Sequence, residues 1–138
     1  MKRKILMITP YLPRRCQSGG QTSSYYSIKY LSKANDITLI SFSRDKEGLE
    51  EIKQYCKKVI VVKRGKTWDF KKILFTGFSQ YPFLVTNYLS ANLKKTISLE
   101  LQKNKYDLIH CECFYLMPNI PQIGTPIVMV DQTIEYAV

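Results

Sequence analysis

Short apolar runs alternate along this chain with stretches whose apolar residues recur at helical spacing, and that alternation predicts its architecture. Lys4 to Thr9 (Lys-Ile-Leu-Met-Ile-Thr) is a compact apolar run, the pattern of a parallel strand buried on both faces. Thr22 to Lys33 reads as a helix in which Tyr25, Ile28 and Leu31 form one apolar stripe at three-residue steps. Asp36 to Phe42 mixes alternation with β-branched residues, which predicts a second strand one helix length after the first, a βαβ unit. After Asp45, Leu49, Ile52 and Cys56 are spaced helically, with acidic residues ahead of basic ones as the helix dipole favours. A third strand, Val59 to Lys63, follows. Trp68 to Phe78 is expected to form a short helix, and Tyr81-Pro82-Phe83 to change the chain direction. The clearest helix carries Leu89, Leu93, Ile97 and Leu101 at every fourth position, from a cap at Asn87 or Ser90 to about Lys105. Tyr106 to Glu112 is a fourth strand, Phe114 to Asn119 a brief helical or irregular piece, and Ile127 to Val130 a last strand ending at Asp131.

Strands and helices in alternation predict an α/β fold, a three-layer Rossmann-like domain with a mainly parallel sheet and helices on both faces. The 138 residues suit one domain, and no internal repeat interrupts them. In such sheets ligands bind beyond the carboxyl ends of the strands. The residues expected there are the Pro10 to Gly20 loop, His110 with Glu112, and Asp131, Gln132 and Glu135. Gly19 and Gly20 are expected just before the first helix, where its first N–H groups and positive dipole end would meet a phosphate. The plainer reading is that the two glycines end a long loop. His110 and Glu112 also carry two readings: ligand contacts at a strand tip, or side chains that satisfy neighbouring backbone groups.

Charge narrows the partners. The chain has a net charge of +10, and Lys57, Lys58, Lys63, Arg64, Lys66, Lys71 and Lys72 face only Asp69 in their stretch. Such a block suits an anionic partner, whether lipid headgroups, nucleic acid or a phosphorylated substrate, and it also suits a solvated face. Charge alone supports the nucleic-acid option, so no specific nucleic acid is expected. The aromatic and basic segment Trp68 to Phe78 fits either an interfacial membrane helix or core packing. A dinucleotide oxidoreductase is disfavoured, because G-x-G-x-x-G is missing and the second strand ends in Ser43-Arg44 before any acid.

Cys16, Cys56, Cys111 and Cys113 are widely spread and read as reduced thiols. Cys111 and Cys113 share a strand face near His110, but no second ligand pair accompanies them, so no metal is expected. The basic start Met-Lys-Arg-Lys is followed only by the apolar run Ile5 to Ile8, too short for a signal peptide core. No segment approaches the roughly 20 apolar residues that span a bilayer. The expected location is cytoplasmic, with peripheral attachment to the inner face of the membrane as an option.

Ile5-Leu-Met-Ile-Thr-Pro-Tyr-Leu-Pro followed by Gly19-Gly20, then Ile37-Thr-Leu-Ile, Tyr106-Asp-Leu-Ile-His and Pro126-Ile-Val-Met-Val resembles, in order and spacing, the N-terminal, acceptor-side domain of GT-B-type retaining glycosyltransferases of the family 4-like group. The resemblance implies that residues 1–138 are one half of a GT-B fold, with a donor-binding C-terminal domain outside this chain. It implies transfer of a sugar from a nucleotide-sugar donor to a cell-envelope lipid-linked or polysaccharide acceptor, with this fragment inactive alone. On that likeness Gly19 and Gly20 face the donor pyrophosphate, His110 and Glu112 lie near the cleft, and neither a metal nor a cofactor beyond the nucleotide-sugar is needed. Many relatives place a histidine just after the last strand, where this chain has Gln132. A glutamine cannot exchange a proton near neutral pH, so no catalytic residue is assigned. The alternative is a self-sufficient α/β module that binds a nucleotide or a protein without catalysis.

Overall fold

The computed structural model of this chain describes residues 1–44, 47–64 and 82–131. Five parallel strands form one sheet: β1 (Arg3–Thr9), β2 (Asn35–Ser43), β3 (Lys58–Lys63), β4 (Leu108–Glu112) and β5 (Ile127–Val130), in the order β3-β2-β1-β4-β5. The order reverses between β1 and β4, which makes that crevice the topological switch point of the sheet. The predicted α/β three-layer Rossmann-like architecture is therefore the observed one.

Side-chain alternation along the strands builds two cores. Leu6, Ile8, Ile40, Phe42, Ile109 and Cys111 point to one face and pack with Leu93 and Ile97 of helix α4 (Ala91–Lys103). Met7, Ile37 and Leu39 point to the other face and pack with Tyr25 and Ile28 of helix α1 (Gly19–Leu31) and Ile52 of helix α2 (Leu49–Lys53). Because β1 and β2 are covered on both faces, they read as nearly continuous apolar runs. Helix α3 (Phe83–Tyr88) and a 3-10 helix, Phe114–Asn119, complete the described elements. The Asn119 side chain joins these two pieces: it accepts from the Ser90 amide at 2.9 Å and donates to the Tyr88 carbonyl at 3.0 Å.

Helix ends depart from the sequence reading for local reasons. α1 starts at Gly19 rather than Thr22, because the Ser18 hydroxyl accepts from the Gln21 amide and so caps the helix one turn earlier. The helix stops at Leu31, whose carbonyl accepts from the Asn35 side chain at 2.9 Å. α2 begins at Leu49, not near Asp45, since Gly48 at φ +78° cannot continue a helix. α4 uses the Ser90 cap, the hydroxyl accepting from the Leu93 amide at 3.2 Å.

One acidic residue of α4 is buried. Glu100, with a side chain 4% exposed, accepts from Lys58 at 2.6 Å, Tyr106 at 2.7 Å and Asn104 at 2.8 Å, at the amino end of the strands. Burial alone would raise its pKa, but the bonds from Lys58, Tyr106 and Asn104 and the Lys58 charge outweigh it and hold the carboxyl below its ordinary value.

The segment Trp68 to Phe78, and with it the interfacial-helix reading, lies outside the described residues. Among the described residues no helix is long and apolar enough to cross a membrane.

Candidate functional site

The carboxyl ends of β1, β2 and β3 open into a cleft of about 330 Å3. The segment after β1 supplies Tyr11, Leu12 and Arg14, the first turn of α1 supplies Gln21, the end of β2 supplies Phe42, Ser43 and Arg44, and the end of β3 supplies Arg64. Three of these are guanidinium groups, and among the described residues no carboxylate lines the cleft. Gln21 is fixed by donating its side-chain amide to the Leu12 carbonyl at 3.1 Å.

Each arginine is held differently. Arg14 pairs with Glu47 at 2.9 Å, and its aliphatic stem passes so close to Gly48 that a Cβ there would sit 2.8 Å from the Arg14 Cγ. Arg44 follows directly on β2 and is exposed. Arg64 continues the ladder of β3, its amide donating to the Ser43 carbonyl at 3.1 Å, while its guanidinium lies 4.2 Å over the Tyr88 ring. Tyr88 in turn packs against Tyr115 with ring centroids 4.3 Å apart. The cation is thus laid on an aromatic surface, a contact worth roughly 0.5–2 kcal/mol that leaves the N–H edge for an anion. Arg15 turns away from the cleft to Glu51, at 2.8 Å.

Tyr11 lies two residues beyond the end of β1. Its phenol is pushed up to about 12, first by burial and then by Cys113, Glu112 and Tyr88. It therefore stays a neutral hydroxyl near physiological pH, able to donate a hydrogen bond beside the cleft. On the α4 side a second cavity of about 250 Å3 shares Phe42 and Arg64 with the first and adds Lys63, Asn87, Ser90 and Asn92.

The residues singled out in the sequence are divided by the structure. Gly19 and Gly20 lie inside the first turn of α1 rather than ahead of it, and a Cβ on Gly19 would meet nothing within 4 Å. His110 and Glu112 do come together, Nε2 to Oε1 at 3.1 Å, with side chains 12% and 2% exposed. They lie on the α1 side of β4, since Ile109 and Cys111 between and beside them face α4. His110 is level with Met7 of β1 and Val128 of β5, within the strand rather than at its tip, and neither residue lines the cationic cleft. Asp131 is exposed just after β5, while Gln132 and Glu135 lie outside the described residues.

Cys113, next to Glu112, has φ +75°, an uncommon backbone conformation for a side-chain-bearing residue, and its amide donates to the Val130 carbonyl at 2.7 Å. Burial raises the Cys111 thiol to about 12, which disfavours the thiolate that a metal requires. Among the described residues no three His, Cys, Asp or Glu side chains gather to hold a metal ion.

The sequence reading missed the arginine cleft itself. Signals for it were present: Arg14 in the segment after β1, Ser43-Arg44 at the end of β2, and Lys63-Arg64 in the basic block. Only strand order brings those three segments to one edge.

No family model matches the chain, and no curated protein matches it in sequence. Solved structures do resemble it. Two crystal structures of the C-terminal domain of the PF1911 hydrogenase of Pyrococcus furiosus match it with a TM-score of 0.62 each. One is 19% identical, covering 94% of this chain and 92% of that one; the other is 18% identical, covering 94% of each. At such identity the likeness concerns the fold alone. It corrects the family expectation: these neighbours are not glycosyltransferases, so the chain is not identified as half of a GT-B enzyme. Most of the segments that carried the resemblance are apolar runs common to buried parallel strands in many folds, which is why they misled.

Proposed function

We propose that this chain is a binding module for a small phosphorylated ligand, such as a nucleotide, held at the carboxyl edge of β1 to β3. The observation that carries the reading is the convergence of Arg14, Arg44 and Arg64 on one cleft with no carboxylate among its described lining residues, Arg14 being paired with Glu47. Guanidinium groups suit phosphate because they offer paired N–H donors in a fixed plane and keep their charge at all relevant pH values. Tyr11 and Gln21 add neutral donors, and α1 directs its first turn toward the same edge. Position agrees with chemistry, since ligands of parallel α/β sheets bind beyond the carboxyl ends of the strands.

The test is isothermal titration calorimetry of the 138-residue chain with AMP and with inorganic phosphate at low ionic strength. One-to-one binding that weakens at least tenfold in both Arg44→Ala and Arg64→Ala is expected. Absence of binding, or binding indifferent to both substitutions, would refute the reading.

A further inference from the structure

We propose that two copies of this chain pair edge to edge through β5, antiparallel about a two-fold axis at Val128, and so join their sheets into one. Among the described residues the outer strands of the sheet are β3 and β5. β3 is guarded against such pairing: Lys58 and Lys63 end it, with Lys57 and Arg64 just outside, and charge on an edge strand keeps a second chain away. β5 carries no such guard. Its residues Ile127, Val128 and Met129 are all exposed, and because side chains alternate along a strand, both faces of this edge are apolar.

Charge decides which partner the edge fits. The chain carries a net charge of +10, so two copies repel where their basic surfaces meet. Between Glu112 and Asp131 no charged residue occurs, and this run supplies exposed Ile123 as well as the three exposed residues of β5. A second copy can therefore approach here without bringing like charges together, and it offers the same uncharged, apolar edge in return.

Hydrogen bonding fixes the register. The Ile109 amide donates to the Pro126 carbonyl and the Cys113 amide to the Val130 carbonyl, so the even-numbered residues of β5 turn their backbone groups toward β4. Alternation turns those of Ile127 and Met129 outward. In an antiparallel pair, residues that exchange both of their hydrogen bonds stand directly opposite one another at every second position. Setting Ile127 opposite Met129 of the second copy satisfies this twice, by symmetry, and uses every outward N–H and C=O of the pair. Val128 then faces Val128 of the second copy across the close, non-hydrogen-bonded position. Asp131 comes level with Thr125 of the second copy rather than with the other aspartate. Association stops at two, because pairing consumes both β5 edges and leaves only the guarded β3 edges. The cleft at the ends of β1 to β3 lies away from β5 and stays open.

Analytical ultracentrifugation of the 138-residue chain over micromolar to submillimolar concentrations is expected to show the mass rise from 16.1 kDa toward twice that value and no further. Val128→Lys and Val128→Asp, both at an exposed position, should each weaken association at least tenfold, since they set like charges face to face at the axis. Mixed in equal amounts, the two variants should associate with each other at least tenfold more tightly than either does with itself; only a contact in which residue 128 meets residue 128 gives that rescue. Leu99→Lys, at an exposed apolar position on α4, should leave association unchanged, and circular dichroism melts show that each variant folds. A chain that stays monomeric throughout, a dimer indifferent to Val128→Lys, or a mixture that shows no rescue overturns the proposal.

Discussion

Replacing Glu100 with alanine tests a buried, multiply bonded carboxylate away from the cleft. The carboxylate is buried and accepts from Tyr106, Asn104 and Lys58. Hydrogen bonds to a charged group contribute about 1.5–3 kcal/mol each. The Lys58 side chain is 49% exposed, so its share is discounted to roughly 0.2–1 kcal/mol for solvent screening. The three contacts share one acceptor and are not additive, which puts the expected loss near 3 kcal/mol. The sign with pH is determined by the depressed carboxyl. A group whose folded pKa lies below its unfolded value stabilises the fold above the unfolded value, and that stability is lost as pH falls through the folded one. The difference between wild type and Glu100→Ala should therefore be full at pH 7 and shrink as pH drops below about 4.5, the ordinary value for this group. Urea unfolding followed by circular dichroism at several pH values measures it. A loss below about 0.5 kcal/mol, or one that stays constant into acid, would refute the argument.

Gly48→Ala should cost about 1–2 kcal/mol, because φ +78° is unfavourable for alanine and the new Cβ presses on Arg14; it should also weaken AMP binding, checked by melts and calorimetry together. Gly19→Ala is expected to stabilise the chain by about 0.5 kcal/mol, since the glycine is helical with open space around it; a melt that moves down instead would restore a special backbone role for the glycine pair. Ser90→Ala should cost about 1 kcal/mol by removing the cap on the Leu93 amide, read from the same melts. In labelling with iodoacetamide at pH 8, exposed Cys16 should react first, whereas Cys56 and Cys111, both raised to about 12 by burial, should react only on unfolding; peptide mass mapping over time follows the order.

Period and composition were enough to determine the elements. Runs such as Ile5 to Ile8 and Ile37 to Ile40 must be buried on both faces, and the four-residue spacing of Leu93, Ile97 and Leu101 demands a helix over a sheet. The sequence also offered Asn87 or Ser90 as a cap, and Ser90 is the one the helix uses. Local periodicity could not reveal that Glu100 turns inward, because its partners Lys58 and Tyr106 come from other elements. Nor could it separate His110 and Glu112, which do meet, from the cleft they were expected to line. The cleft itself depended on tertiary structure. Arg14, Arg44 and Arg64 are far apart in sequence and become neighbours only because β1, β2 and β3 lie side by side in parallel and end at one edge. Strand order is a long-range choice made by packing, so a site built across three strand ends has no local signature, while the strands that build it do.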